Sequence, residues 1–341
     1  MTFVEDSAPH SWGKRSIRSI FIGLLALVTM WSAAAIWFDA PAPRWLAAAL
    51  AVLPPLAVLC SLLWLHGSWL TFALMAPGVV LLWWSNIPPS NNRDWLPEVA
   101  RLAVADFDGE QVTIRNVRNF DYRSETDFTE RWEERTYRLD QVVGIDMYLS
   151  TWGSPWIAHT IVSWEFTDGR YLAISIETRK ERGEEYSPVL GFFRQYELYY
   201  VVADERDVVR LRTNFRGENV LLYRLTARPS MARALLVDYL AEVNRLNAKP
   251  RWYNAMTHNC TTTIRLHAQH VAAGNPWDWR LLVNGRLDEL GYERGTIDTS
   301  IPFTELRRRS DITQMARASG VDSDFSTRIR RRLPPRVAAS D

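Results

Sequence analysis

Two residues of this 341-residue chain have the types and the placement needed for the nucleophile and the base of a cysteine hydrolase. Thr257 and Asn259 are favoured N-cap residues, and the pattern after them predicts a helix over 261–272, with Cys260 in its first turn. The free N–H groups and the dipole of such a turn favour thiolate over thiol. A thiolate nucleophile needs a histidine base, and His159 opens a predicted strand 260 − 159 = 101 residues upstream. The alternative is that Cys260 is a small apolar residue of the core.

The strand of His159 belongs to a predicted hairpin that offers a third catalytic residue. The turn contains an Asp-Gly pair, and the second strand runs over 171–177. A three-residue loop places Glu177 opposite His159, where a carboxylate would fix the tautomer of the imidazole and stabilise its protonated form. A two-residue loop places Thr178 there instead, because a shift of one residue moves every side chain to the other face.

The remaining roles rest on the same two segments. A catalytic oxyanion needs preorganised donors, and we expect the backbone N–H of Cys260 and the side chain of Asn259 to supply them. The alternative for Glu177 is a surface salt bridge with Arg179 or Lys180. This alternative leaves the predicted pair of Cys260 and His159 unchanged.

A metal site is the rival interpretation of the same region. Four possible zinc ligands, His258, Cys260, His267 and His270, lie close together in the sequence. On a helix, His267 lies two turns from Cys260, about 10 Å along the axis, which is too far for one tetrahedral ion. His267 and His270 alone would share a helix face, which is more typical of packing or of a solvated edge. We therefore predict no metal and no other cofactor.

The overall composition does not favour a nucleic acid as the partner. With 40 basic and 39 acidic residues the formal net charge is +1, so nothing indicates nucleic-acid binding. The second cysteine, Cys60, lies in an apolar run, and a disulfide with Cys260 is therefore not expected.

Three apolar runs at the start of the chain predict a membrane anchor. They cover about 17–38, 45–65 and 68–84, and a Pro-Pro pair at 54–55 is expected to kink or break the second run. A basic cluster precedes the first run and should remain in the cytoplasm, so that three spans place the rest of the chain outside it. The alternatives are a signal peptide in place of the first span, and a two-span anchor with a cytoplasmic domain. The basic residues are Lys14, Arg15 and Arg18.

Several motifs resemble those of bacterial membrane proteins that carry the Lnb N-terminal periplasmic domain, a family that is largely uncharacterised. The resemblance covers roughly 104–270 in unbroken order and implies a large domain facing the periplasm from the inner membrane. It rests on Ala158-His159-Thr160, on 168–179, on Phe193-Arg194-Gln195-Tyr196-Glu197-Leu198, on 203–207 with 211–214, and on Asn259-Cys260-Thr261-Thr262.

A weaker resemblance is to circularly permuted papain-like hydrolases of the NlpC type, in which the histidine strand also precedes the cysteine helix. It implies a periplasm-facing cysteine hydrolase or acyltransferase that acts on an amide, ester or thioester bond of the envelope. Peptidoglycan peptides or acyl groups would be the substrates, and the lipid bilayer would be the other partner. The alternative is a non-catalytic envelope binding or scaffolding module with the same fold.

These features predict an α+β fold, with N-terminal membrane helices followed by a mostly antiparallel sheet packed on helices, in a permuted papain-like arrangement. Further strands are predicted at 104–114 as a hairpin, and at 141–149, 195–202, 208–213 and 219–225, with an amphipathic helix over 231–246. The segments are a cytoplasmic N-terminus (1–15), an anchor (16–87), a β-rich entry segment (95–148), a papain-like domain (149–290) and a basic C-terminal tail (291–341) that is solvated or contacts anionic lipid.

Overall fold

The computed structural model describes residues 11–64, 68–271, 276–281, 283–320 and 324–336. The chain divides into two compact units, which we call the anchor unit and the large domain. The anchor unit comprises Met1–Pro88 and Phe193–Gln195, and the large domain comprises Pro89–Phe192 and Tyr196–Asp341.

Apolar helices form the anchor unit: α1 (Ser11–Asp39), α2 (Arg44–Ala51), α3 (Leu53–Trp64) and α4 (Trp69–Ser85). The second predicted run is interrupted at Val52, because Pro54 and Pro55 lack N–H groups and fit only the first turn of the helix that follows. Two stretches of 21 residues, Ser19–Asp39 and Arg44–Trp64, are long and apolar enough to cross a membrane, and Leu70–Ser85 is shorter. Residues 65–67, between α3 and α4, lie outside the described part of the chain.

The C-terminal end of α1 is fixed by polar contacts within the anchor unit. Asp39 accepts hydrogen bonds from the indole Nε1 of Trp84 at 2.7 Å and from the side-chain amide of Gln195 at 2.7 Å. Phe193 packs on Phe38 with ring centroids 4.9 Å apart. Residues 193–195 therefore belong structurally to the anchor unit, although they follow it by more than 100 residues.

The large domain is organised around an eight-stranded sheet. As the sequence predicted, the sheet is mostly antiparallel: β2 and β9 form a parallel pair, and the other neighbouring strands run antiparallel. The strands are β1 (Val104–Asp108), β2 (Gln111–Arg118), β3 (Asp121–Tyr122), β4 (Phe128–Thr129), β5 (Trp132–Arg138), β6 (Val142–Thr151), β7 (Ala158–Phe166), β8 (Tyr171–Arg179), β9 (Glu197–Ala203) and β10 (Asn219–Arg224). Their order in the sheet is β1-β2-β9-β8-β7-β6-β10, with β5 on β2, while β3 and β4 form a separate ribbon.

The stretch Val208–Thr213, which was predicted to be a strand, is helical. It lies within α5 (Glu205–Arg210) and a π-helical turn over Leu211–Phe215. Asp204 caps α5 by accepting a hydrogen bond from the backbone N–H of Arg206 at 2.9 Å. The prediction is wrong because a short apolar run does not distinguish a strand from a buried helix.

Helices cover both faces of the sheet. One face carries Val162, Trp164 and Ile174 under α6 (Pro229–Ala248) and α7 (Cys260–Val271), and we call it the Cys260 face. The opposite face carries Ile161 and Ala173, and we call it the His159 face. The helices α5, α10 (Thr313–Ala318) and α11 (Phe325–Arg328) pack on the His159 face, and α8 (Leu287–Glu293) and α9 (Phe303–Ser310) complete the domain.

The C-terminal segment is partly buried, in contrast to the predicted basic tail. The side chain of Arg330 is 3% exposed and pairs with Glu205 at 2.6 Å and with Asp146 at 2.7 Å. Phe325 and Ile329 belong to the apolar core of the His159 face. The expectation of a solvated tail is wrong here because the acidic partners of the arginine come from β6 and α5, far upstream in the sequence.

Candidate functional site

The register of the β7–β8 hairpin places His159 opposite Glu177. The loop holds three residues, 167–169, between flanking residues that share a backbone hydrogen bond of 3.0 Å. The ladder pairs Ile161 with Ser175, and two further positions along the strands bring His159 to Glu177. Of the two registers that the sequence left open, the three-residue loop is therefore the correct one.

A serine connects His159 to Glu177. The Nε2 atom of His159 lies 2.6 Å from Ser175 Oγ, and that hydroxyl donates to Glu177 Oε1 at 2.7 Å. Because a serine has a single proton to donate, Ser175 accepts from Nε2–H of His159. Glu177 Oε1 itself lies 3.6 Å from the same Nε2, beyond hydrogen-bond distance, so Glu177 contacts the imidazole mainly through the serine.

The same carboxylate belongs to a buried chain of charges on the His159 face. Arg212 donates to Glu177 at 3.0 Å and to Glu218 at 3.1 Å. Glu218 in turn accepts a hydrogen bond from Ser150, the residue of β6 that pairs with His159. The side chains of Arg212 and Glu218 are only 6% and 7% exposed, so each charge depends on its partner for stabilisation.

This environment sets the protonation states of the pair. Burial lowers the pKa of His159 to about 3, and the positive charge of Arg212 adds to the effect. Burial alone would raise the pKa of Glu177, but Arg212 and then His159 outweigh it and hold that pKa below its usual value. At neutral pH a neutral imidazole therefore lies beside an ionised carboxylate. An imidazole with so low a pKa is a weak general base.

His159 and Cys260 lie on opposite faces of the sheet. Because side chains alternate along a strand, His159 shares its face with Ile161 and with Ser163, whose hydroxyl donates to Glu205 at 2.6 Å. Cys260 packs against the apolar core of the other face. Among the described residues, no hydrogen bond joins the two side chains. The contact that a nucleophile and its base require, which the sequence led us to expect, is not formed.

Cys260 is the first residue of α7, as predicted, and it is partly exposed. Its Sγ lies 3.8 Å from Thr261 Oγ1 and 3.9 Å from the side-chain nitrogen of Asn284. Burial raises the pKa of the thiol, and hydrogen bonds from the backbone N–H of Thr160 and from Thr261 only partly oppose this effect. The residue is therefore a thiol at neutral pH, in contrast to the thiolate that its helix position favours.

Asn259 serves as the N-cap of α7. Its Oδ1 accepts the backbone N–H of Thr262 at 2.9 Å, and its Nδ2 donates to the backbone oxygen of Ala255 at 2.7 Å. These bonds occupy the amide on which the predicted oxyanion role depended. The capping prediction is confirmed.

Asn284 is a residue of this site that sequence reasoning missed. Its Nδ2 donates to Thr261 Oγ1 at 2.7 Å, and its Oδ1 accepts the backbone N–H of Ala158 at 2.8 Å. It thus joins the start of β7 to the start of α7. The following residue, Gly285, approaches the backbone so closely that an added Cβ would lie 2.2 Å from the carbonyl oxygen of Pro155. An Asn-Gly pair was the local signal for this turn.

A second group of ionisable side chains lies where α7 packs on α6. Oδ2 of Asp238 lies 2.6 Å from Nδ1 of His267 and 3.0 Å from Nδ1 of His270. The three possible ligand atoms are within 4.8 Å of one another. The sequence had identified the two histidines as neighbours on one helix face, but not the aspartate, which comes from another helix.

The anchor helices and the domain define a mixed α+β protein with features of membrane association. Residues 128–285 match the family model described as the Lnb N-terminal periplasmic domain, which confirms the resemblance found in the motifs. No curated protein and no solved structure matches the chain. The permuted papain-like arrangement is thus not confirmed, whereas a membrane-associated envelope protein with a periplasmic domain fits both the match and the apolar helices.

Proposed function

We propose that the chain crosses the inner membrane three times and holds its large domain in the periplasm. The basic residues near Lys14 favour a cytoplasmic N-terminus, and only an odd number of spans then brings the domain to the other side. The match to a periplasmic family supports this side. With 17 residues, α4 extends about 25 Å, at the lower limit for a helix that crosses a bilayer.

Reporter fusions test this topology. A reporter that works only outside the cytoplasm should be active when fused after Pro41 and also when fused after Arg93. Activity after Pro41 with inactivity after Arg93 would mean two spans and a cytoplasmic domain.

Within that topology, the large domain acts as a non-catalytic binding module of the envelope. The observation that carries this conclusion is the placement of His159 and Cys260 on opposite faces of the sheet. A thiol whose pKa is raised by burial, without a base in hydrogen-bond reach, is a poor nucleophile.

Exposed apolar side chains in the loops that Asn284 and Gly285 join indicate what the module binds. Trp156 and Ile157, between β6 and β7, are 48% and 53% exposed, and Trp279 is 46% exposed. Gly285 connects the two loops by donating its N–H to the backbone oxygen of Trp156 at 3.0 Å. Apolar surface of this kind suits an acyl chain better than the polar peptides of peptidoglycan, so we assign an acyl-bearing envelope molecule as the ligand.

Photo-crosslinking of the purified full chain tests the ligand class. A diazirine-bearing acyl probe should label the β6–β7 loop, and Trp156→Ala should reduce this labelling. Phe107→Ala is the matched control, because Phe107 is a similarly exposed aromatic residue on β1. The assignment would be contradicted if the probe labels Trp156→Ala and Phe107→Ala equally, or if a soluble muropeptide displaces the probe.

A second candidate is the cysteine hydrolase or acyltransferase that the sequence predicted. It is favoured by the donors around the sulfur, namely the N–H of Thr160 and the amide of Asn284, which could stabilise an oxyanion. In this candidate Cys260 is the nucleophile, His159 the base and Glu177 the orienting residue. A rearrangement would have to bring His159 to the Cys260 face.

The pH dependence of alkylation separates the two candidates. In a Cys60→Ser background, the binding module predicts that iodoacetamide modifies Cys260 slowly at neutral pH, and that the rate rises steadily in alkaline solution. His159→Gln should leave this profile unchanged. A rate that is already at its plateau at neutral pH, and that His159→Gln abolishes, would instead favour the second candidate, because it would show a thiolate activated by His159.

A further inference from the structure

We propose that Asp238, His267 and His270 form a binding site for a divalent transition-metal ion, with zinc as the expected occupant. Two imidazoles and one carboxylate are a ligand set that zinc and other first-row metals use, whereas magnesium and calcium prefer oxygen ligands alone. The site lies between α6 and α7 and is separate from the acyl-binding surface.

The backbone already directs the three side chains to one point. His267 and His270 are three residues apart on α7 and therefore share a helix face. Their Nδ1 atoms both meet Oδ2 of Asp238, at 2.6 and 3.0 Å. Ligand atoms about 2.1 Å from a tetrahedral ion lie about 3.4 Å from one another, so a small outward shift of the carboxylate makes room for the metal.

The surroundings of His267 match those of a metal-bound imidazole. Its ring stacks on Tyr239 with centroids 3.9 Å apart, and its Nε2 lies 2.7 Å from the hydroxyl of Tyr200. When Nδ1 binds a metal, the ring proton resides on Nε2 and needs an acceptor, which the oxygen of Tyr200 provides. Such partners orient the ligand and raise its affinity for the metal.

Solvent exposure leaves a path for the ion and room for water ligands. The side chain of His270 is 58% exposed and that of Asp238 is 20% exposed. A competing cation, the guanidinium of Arg245, lies 3.8 Å from the other carboxylate oxygen of Asp238. Arg245 is itself 60% exposed and pairs with Glu242, so it does not block the shared oxygen.

Bound zinc would connect α6 to the helix that begins at Cys260. An ion that binds only the folded state stabilises it in proportion to the logarithm of its concentration. Zinc binding at this site would therefore stabilise the packing of α7 on α6.

The test is zinc binding by the purified full chain after treatment with a chelator. Competition with a chromophoric chelator should show one equivalent of zinc, and zinc should raise the Tm. His270→Ala removes an exposed ligand without disturbing the core, and it should weaken binding by more than about tenfold and abolish the rise in Tm. Tyr200→Phe should weaken binding by about tenfold, while its Tm without zinc reports on folding.

His258→Ala is the matched control, because His258 lies near the start of α7 but outside the cluster. It should bind zinc as the unmodified chain does. The proposal is overturned if the unmodified chain takes up no stoichiometric zinc, or if His270→Ala binds it equally well. Binding that depends on other histidines of the chain would persist in His270→Ala and would therefore count against the site.

Discussion

The two faces of the large domain's sheet place neighbouring residues of the same strands in opposite chemical environments. On the His159 face, Arg212 lies between Glu177 and Glu218, and a second buried arginine forms another ionic cluster. On the Cys260 face, apolar side chains pack under α6 and α7, and the thiol lies at their edge. One residue along β7 thus separates a chain of charges from a hydrophobic core.

The difference shows why a nucleophile and a base can be adjacent in space and still not form a pair. The thiol is within reach of the backbone of Thr160, the residue that follows His159. The imidazole of His159, however, lies on the opposite face of the sheet beside the buried charges, and its contact with Ser175 fixes its position there. Because each buried charge needs its partner, turning the imidazole to the other face would leave this network incomplete.

The largest effect that can test this contrast is expected for Arg330→Ala on the His159 face. The substitution leaves Glu205 and Asp146 buried without their counter-ion, which should reduce the free energy of unfolding by about 3–5 kcal/mol. Thermal unfolding of the purified full chain measures the change. The control is Arg331→Ala at the exposed neighbouring position, with an expected effect within about 0.5 kcal/mol. Similar small effects for both variants would mean a solvated tail and would break the comparison.

Local features of this fold could be predicted from the sequence. The hairpin turn at Gly169 and the cap at Asn259 specify their own geometry, because a positive φ and a capping side chain are properties of single residues. The start of α7 at Cys260 followed from such signals.

Contacts between distant segments could not be predicted in the same way. The alternation of β7 assigns His159 to one face, but only tertiary packing decides on which face α7 lies. For the same reason the sequence missed Asn284 and Asp238, which reach the site from other elements. The charged C-terminus looked solvated because the partners of Arg330 are 125 and 184 residues away.

Asn284→Ala sharpens the comparison at the junction between β7 and α7. The substitution leaves the buried N–H of Ala158 without its acceptor and Thr261 without its donor. The free energy of unfolding should fall by about 1–3 kcal/mol, measured by thermal unfolding. Asn92→Ala, at an exposed position, should change it by less than about 0.5 kcal/mol. If the two variants behave alike, Asn284 does not hold the helix to the strand.

The dependence of stability on pH tests the buried state of His159. Its pKa is about 3 in the folded chain, against an ordinary value of 6.5, so the unfolded chain binds a proton there first as the pH falls. The contribution of His159 to stability is therefore fully present above pH 6.5 and declines toward pH 3, with a loss of about 2 kcal/mol between pH 7 and pH 5. His159→Gln should remove this loss, and the control His258→Gln should retain it. The same change between pH 7 and pH 5 in the unmodified chain and in His159→Gln would place His159 outside a buried network.

The smallest effect is expected for Cys260→Ser, which tests the character of the Cys260 face at its edge. The side-chain volume hardly changes, and a hydroxyl can accept the same hydrogen bonds from Thr160 and Asn284, so the free energy of unfolding should change by less than about 1 kcal/mol. Ala232→Ser is the comparison at the centre of that face, because Ala232 is fully buried in its core. An added hydroxyl there is buried among apolar side chains, and the loss should reach about 1–3 kcal/mol. Thermal unfolding of both variants therefore shows whether the thiol lies at the edge of the apolar core or inside it. If Cys260→Ser is as destabilising as Ala232→Ser, the sulfur is sealed in the apolar core. Such a position would remove it from both candidate functions, since neither a ligand nor a substrate could reach it.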